Sequence, residues 1–192
     1  MAESFSHNKK ILGKYFGLIK ELEKEVIGKM EDLADYTWPS EKKVRVDVVT
    51  YANWAGAYTV TRPEMNIVIS TIDEKNTTTS FIETIFHEGT HLLFPIDGSP
   101  FRAEIYYKSK EMKLRFQRHL WHASQFFLCG RITQDKLKAK GISHKLLMEE
   151  LKIFTAYNTT HFRQTLEKYY KGEYDLKTTV KYLLEVNIHS EK

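Results

Sequence analysis

The stretch from Ser80 to Leu93, SFIETIFHEGTHLL, decides how this chain folds. Its apolar residues recur at helical spacing, so we expect a helix with one face in the core. His87 and His91 are four residues apart and therefore project from the same face of that helix. Two imidazoles on one face can bind a single zinc ion through nitrogen. Glu88 is rotated by about 100° from His87, so its carboxylate borders this position without acting as a ligand.

This spacing of two histidines and a glutamate favours one chemistry. Zinc lowers the pKa of a bound water towards about 7, and a neighbouring carboxylate can take the proton as the water attacks a carbonyl group. Burying two imidazoles and a carboxylate beside Ile85 and Phe86 would be costly without such a use. The motif therefore predicts a zinc-dependent hydrolase in which Glu88 is the general base on a zinc-bound water.

The bounds of this helix are predicted from the residues at its two ends. Ser80 and Glu83 match a capping box, in which the hydroxyl caps the first turn and the carboxylate reaches back. Pro95 and Gly98 end the helix after about three and a half turns.

A catalytic zinc ion needs a third protein ligand, and histidine supplies two candidates. His122 is favoured because Phe126 and Cys129 follow it at i+4 and i+7, which places it on the inward face of a helix. His119 precedes it by three residues and lies close to the same face, so helical phase alone does not exclude it.

Carboxylates are the other candidates for the third ligand. Asp97 lies six residues after His91, where metzincins place theirs, but Phe94 occupies the position that needs glycine in that pattern. Glu111 lies twenty residues after His91, a spacing like that of thermolysin-type enzymes, among lysines that indicate a solvated surface. Glu104 is a further alternative.

Around the motif the sequence predicts an α+β fold. A long amphipathic helix is expected from Asn8 to Leu33, and the alternation of residues 44–48 is typical of a half-buried strand. Further strands are expected at 57–61 and 65–71, and further helices at 110–129, 144–156, 160–171 and 176–187. Gly130 and Gly172 suit helix ends, and Asp175 suits a helix start. We expect a small, mostly antiparallel sheet packed against the metal helix, which is the helix that carries His87 and His91.

Composition narrows the class of protein. The chain has 192 residues with 29 Lys and Arg against 25 Asp and Glu, and a net charge of only +4 argues against a nucleic-acid partner. The single cysteine, Cys129, cannot form an intrachain disulfide and is expected to be a small buried apolar residue. We find no signal peptide and no apolar run long enough to span a membrane, as in a cytoplasmic protein or the mature part of an exported one.

Three segments taken together resemble a known family. They are NIVIST at 66–71, IFHEGTH at 85–91 and LWHASQF at 120–126, followed by Gly130. This combination is similar to a family of small, uncharacterised bacterial proteins described as zincin-like metallopeptidases, over about residues 44 to 187. We expect one zincin-like domain over 1–192, with the sheet and the helix of His87 and His91 in 44–98 and a helical half in 100–192. The N-terminal helix expected in 1–38 lies outside the resemblance. The resemblance supports His122 as a ligand. The segment at 125–128 differs modestly from the aromatic run that is usual in the family, and we interpret this difference as variation among core residues.

These observations lead to a metallopeptidase hypothesis with zinc as cofactor and a peptide or protein as substrate. The strand Asn66–Ser70 is our candidate for an edge that pairs with the substrate backbone; an inner strand is the alternative. Tyr157 is a candidate hydrogen-bond donor to the developing oxyanion, and an ordinary structural role is the alternative. The alternative function is a non-catalytic zinc-binding domain that acts as a binding module, in which Glu88 would not be needed. Oligomeric state is not predicted.

Overall fold

The computed structural model describes residues 2–61 and 63–187, so residues 1, 62 and 188–192 of the predicted domain lie outside the described residues. The helices are α1 (Ala2–Ala34), α2 (Asn53–Gly56), α3 (Ser80–Thr90), α4 (Pro100–Glu111), α5 (Leu120–Ala139), α6 (Leu147–Glu150), α7 (Thr160–Tyr170) and α8 (Leu176–Asn187). The strands are β1 (Val44–Val49), β2 (Ala57–Val60) and β3 (Met65–Ser70), and 3₁₀ turns occupy Glu74–Asn76 and His91–Leu93. The fold is α+β and rich in helix, as predicted.

The sheet has three strands in the order β1-β3-β2. β2 and β3 form an antiparallel pair joined by a short connection, whereas β1 runs parallel to β3 on its other side. The predicted, mostly antiparallel sheet is therefore wrong in detail, because the sheet is mixed. The chain leaves β1, crosses the end of β3 through α2, and returns as β2, which makes β1 and β3 parallel.

β3 is the central strand, so the prediction that Asn66–Ser70 forms an edge is wrong. Met65, Ile67 and Ile69 are each at most 1% exposed, because partners lie on both sides of the strand and α3 covers one face. The edge strand on the side of α3 is β2, which contacts α3 directly.

Gly130 does not end a helix. The predicted helix over 110–129 is instead two helices, because α4 stops at Glu111 and α5 begins at Leu120. Gly130 lies inside α5, and a Cβ atom at this position would lie 2.5 Å from Oε1 of Glu83. The absent side chain therefore serves the close approach of α3 and α5 rather than a turn.

Glu83 also corrects the predicted capping box at Ser80. The residue that caps α3 is Thr79, and its own side chain accepts no hydrogen bond from the first turn. Glu83 points inward, where its Oε2 lies 2.6 Å from His144 Nε2 and accepts a hydrogen bond from Leu147 N at 3.1 Å. The carboxylate of Glu83 is fully buried and bonds to these two partners instead of reaching back to the start of the helix.

The C-terminal half follows the predicted pattern except at residues 144–156. Only the single turn α6 forms there, and Lys152 and Phe154 adopt left-handed backbone angles of 51° and 53° in φ, which an α-helix does not allow. The later helices agree with prediction, and Asp175 Oδ1 accepts a hydrogen bond from Thr178 N at 2.7 Å as a cap of α8.

The buried apolar side chains form one cluster that extends from α1 to α8. Every residue of α3 is buried, since the sheet, α1 and α5 surround it. Cys129 is fully buried in this cluster, as predicted. Within residues 2–61 and 63–187, no helix combines the length and apolar character that crossing a membrane requires.

Candidate metal centre

α3 and α5 bring three histidines together. His87 lies on α3, His91 follows at its C-terminal end, and His122 lies in the first turn of α5. His91 opens a 3₁₀ turn, but its φ of −54° and ψ of −27° remain right-handed helical, so it still faces the same way as His87. The ring centroids of the three imidazoles are 4.9 to 5.2 Å apart.

Their nitrogen atoms lie close enough together to hold a metal ion. One nitrogen from each of the three rings lies within 4.8 Å of the others, and His87 Nε2 is 3.2 Å from His122 Nε2. Two nitrogens bound tetrahedrally at 2.0–2.1 Å to one zinc ion are about 3.3 Å apart. Nδ1 of His87 is buried with no hydrogen-bond partner among the described residues. The three side chains therefore form a group that can hold a metal ion.

The surroundings keep these imidazoles neutral. Burial lowers the pKa of His91, the nearby His122 and Arg102 add to the effect, and the three together bring it to about 3. Burial likewise lowers the pKa of His122 to about 4, with His119 as the second cause, and places the pKa of His87 well below its usual range. A neutral imidazole offers the lone pair that a metal ion needs, so all three are ready to bind at pH 7.

The other sequence candidates for a third ligand do not join this group. Asp97 and Glu111 are exposed, and Glu111 forms an ion pair with Lys108 at 2.5 Å. His119 is exposed and accepts a hydrogen bond from Arg118 Nε at 2.8 Å. Glu104 is partly exposed on α4. Within the part of the chain that the structure describes, the one group of three ligand side chains this close is His87, His91 and His122.

Glu88 lies beside the histidines as the spacing predicts. Its Oε2 is 3.8 Å from His91 Nε2 and accepts a hydrogen bond from the Thr59 hydroxyl at 2.5 Å. Burial raises the pKa of Glu88, the hydrogen bond from Thr59 offsets part of that rise, and the pKa lies at about 6. A carboxyl group that titrates near neutral pH is suited to accept and return a proton.

Two polar side chains of this site were not predicted from the sequence. Thr59 on β2 is separated from Glu88 by 29 residues, so no local pattern signals their contact. Gln125 is fully buried and donates hydrogen bonds to His87 O at 2.9 Å and Thr90 Oγ1 at 3.0 Å. Gln125 is thus not mere core variation, since it joins α5 to the metal helix. Its position three residues after His122, on the same helix face, is a signal that could have identified it.

Aromatic rings enclose the histidines. Phe126 contacts His87 at 4.3 Å between ring centroids, and Phe154 contacts His122 at 5.0 Å. Trp121 packs against His91, and the Arg102 guanidinium lies 4.4 Å from the Trp121 ring. These contacts fix the ring orientations and reduce access of water to the ligand nitrogens.

Tyr157 is only partly buried, and its hydroxyl donates a hydrogen bond to Gln117 Oε1 at 3.1 Å. Gln117 belongs to the segment that leads into α5. The oxyanion role of Tyr157 stays a prediction.

Comparisons of the chain with protein-family models, with curated proteins and with solved structures give no match. The function therefore has to be inferred from the residues and their geometry.

Proposed function

We propose that this protein is a zinc-dependent hydrolase, a metallopeptidase with zincin-like packing. The observation that carries the proposal is the proximity of Glu88 to His91 in a site where three neutral histidines converge. A site that only held metal would have no need of a buried carboxyl group that titrates near pH 6. The choice of zinc rests on the all-imidazole ligand set, which suits zinc better than magnesium or calcium.

When bound, the zinc ion would supply a Lewis acid that polarises a carbonyl oxygen and makes water acidic. Glu88 would transfer a proton in two steps of the reaction. Its carboxylate takes the proton from the attacking water and later gives it to the leaving amine. Thr59 holds this carboxylate in place through a hydrogen bond to Oε2, the oxygen that lies 3.8 Å from His91 Nε2. Phe126, Phe154 and Trp121 limit competing solvent.

The substrate strand is proposed to bind along β2. This strand is an edge of the sheet, contacts α3, and carries Thr59 next to Glu88. An extended peptide that adds to β2 would gain main-chain hydrogen bonds and pass in front of the candidate base. Tyr157 is proposed to exchange its bond to Gln117 for one to the developing oxyanion.

The test is the substitution Glu88→Gln, which keeps the shape of the side chain but removes its basicity. We expect wild-type protein loaded with zinc to cleave members of a mixed peptide library, read by mass spectrometry. The variant should retain zinc and lose about 10²–10⁴-fold in rate, the usual contribution of a general base.

Glu111→Gln is the matched control, since Glu111 is exposed and away from the three histidines. This control should cleave like wild type. Equal cleavage by wild type and Glu88→Gln would remove Glu88 from the mechanism. Zinc binding without cleavage by any of the three proteins would favour the alternative, a non-catalytic zinc-binding module.

A further inference from the structure

Helix α1 carries two apolar stripes, one buried in the core and one only partly covered. The buried stripe consists of Ile11, Tyr15, Leu22, Val26, Met30 and Leu33. The second stripe follows helical spacing beside it and consists of Leu12, Phe16, Ile19 and Ile27. Phe16 is 54% exposed, although its ring faces other apolar side chains. A helix with a second apolar stripe usually has something to cover it.

The second stripe forms one wall of a groove of about 770 Å³. Val44 and Val46 of β1 form the opposite wall, and Val46 is 37% exposed. Ile67 of β3, with Ile85 and Phe86 of α3, forms the floor. This volume lies within the range of about 300–1,000 Å³ that small-molecule sites occupy.

The groove is separate from the metal centre. It reaches Ile85 and Gly89 of α3, each two positions from His87 and thus rotated by about 200° from it. The two sites therefore lie on opposite faces of the same helix.

The groove is long. Its lining on α1 extends from Leu12 to Glu31, a distance of about 28 Å along the helix axis. An extended acyl chain covers about half of the 30 Å hydrocarbon core of a bilayer, so one chain and its head group fit within this length. A long, narrow, apolar groove suits a linear ligand better than a compact one.

The rim of the groove is positively charged. Lys24, Lys42 and Lys43 line it and form no ion pair with any described residue. The two carboxylates of the rim are already engaged, because Glu23 pairs with Lys20 at 3.2 Å and Glu31 accepts a hydrogen bond from Trp38 N at 2.7 Å. The free charge therefore complements an anion.

We propose that this groove binds the apolar chain of a free long-chain fatty acid, with its carboxylate at Lys24, Lys42 and Lys43. A second copy of the protein fits less well, because a symmetric contact through this groove would bring the lysines of both copies together. The fatty acid satisfies both features at once, since its chain covers the second stripe and its head group neutralises the rim.

Two glycines of α1 provide a matched pair of variants. Gly28 lines the groove, Gly17 does not, and a Cβ atom at either position would meet nothing within 4 Å. Gly28→Phe should fill the groove, whereas Gly17→Phe places the same side chain on the exposed face of the same helix. Neither change removes a contact, so both proteins should fold.

The experiment is calorimetric titration of the full chain with dodecanoate, with dodecyltrimethylammonium as a cation of equal chain length. We expect wild type and Gly17→Phe to bind dodecanoate with equal affinity and the cation more weakly. Gly28→Phe should bind dodecanoate about tenfold more weakly or worse, because displacing two methylene groups already costs that factor. If Gly28→Phe does not fold, the double variant Lys24→Glu, Lys43→Glu should show a similar loss.

Three results would overturn the proposal. The first is unchanged dodecanoate affinity in a folded Gly28→Phe or in the double lysine variant. The second is binding of the cation as tight as that of dodecanoate. The third is a ligand-free dimer in analytical ultracentrifugation that Gly28→Phe abolishes and Gly17→Phe keeps, which would assign the groove to a second copy.

Discussion

At the scale of single residues, burial and neighbouring charge set the properties of the metal centre. The same desolvation that lowers the pKa of His91 and His122 raises the pKa of Glu88. Burial opposes charge on either kind of group, so the imidazoles stay neutral and the carboxyl group becomes a stronger base. A single enclosed site thereby prepares both the candidate ligands and the proposed base.

The third ligand is tested by His122→Ala. We expect this variant to lose two orders of magnitude or more in zinc affinity, since each ligand of such a site contributes about 3 kcal/mol. His119→Ala is the control, because His119 is exposed and lies outside the group of three. Competition with a chromophoric chelator measures both. Equal affinity in wild type and His122→Ala would move the third ligand to another side chain.

Thr59 is tested through the pH dependence of cleavage. Glu88 must be ionised to act as a base, so the rate should rise with pH through its pKa. Thr59 lowers that pKa by donating to Oε2, and Thr59→Val removes the donor. The rise should therefore shift to higher pH in the variant. A bound cation lowers the pKa of Glu88 in both proteins and leaves the direction unchanged. If the pH–rate profile of Thr59→Val matches that of wild type, Thr59 does not influence the pKa of the base.

At the scale of secondary structure, the candidate metal site depends on how closely α3 and α5 approach. Gly130 allows the carboxylate of Glu83 to lie against the backbone of α5. From there Glu83 reaches His144 and Leu147 and so ties the segment after α5 to the metal helix.

Gly130→Ala should therefore destabilise the protein, although alanine favours helix. The added Cβ would lie 2.5 Å from Oε1 of a carboxylate that is buried and held by hydrogen bonds, and overpacking of this kind costs about 1–3 kcal/mol. Gly28→Ala is the control, since its Cβ meets nothing within 4 Å and should stabilise by about 0.5–1 kcal/mol. Urea unfolding measures both changes. A Gly130→Ala protein more stable than wild type would contradict this packing.

The helices with strong local signals could be predicted from the sequence, and those defined by distant contacts could not. Asp175 marks the start of α8 through its side chain, and Gly172 follows the end of α7 with a left-handed backbone. Both positions agree with the prediction. Gly130 was misread because a glycine needed for close packing looks the same in sequence as one needed for a turn. The break between α4 and α5 carries no proline or glycine, and Lys113 adopts a left-handed φ of 54° there.

At the scale of the whole molecule, the order of the strands in the sheet could not be predicted from the sequence. The period of residues 44–48 and 65–71 identifies strands but says nothing about which ones are neighbours. The candidate metal site was more predictable, because the helix repeat alone places His87 beside His91 and directs His122 inward. Thr59 could not be predicted as part of the site, because its contact with Glu88 joins a strand to a helix that is distant in sequence.

The central claim is that α3 and α5 together hold one zinc ion. Crystals of protein purified with zinc at neutral pH would test it through an anomalous difference map recorded on either side of the zinc edge. We predict one peak per chain, about 2.0–2.1 Å from a nitrogen of each of His87, His91 and His122, with Glu88 beside it and not bound. No peak among these three histidines, or a peak held by other residues, would contradict the account.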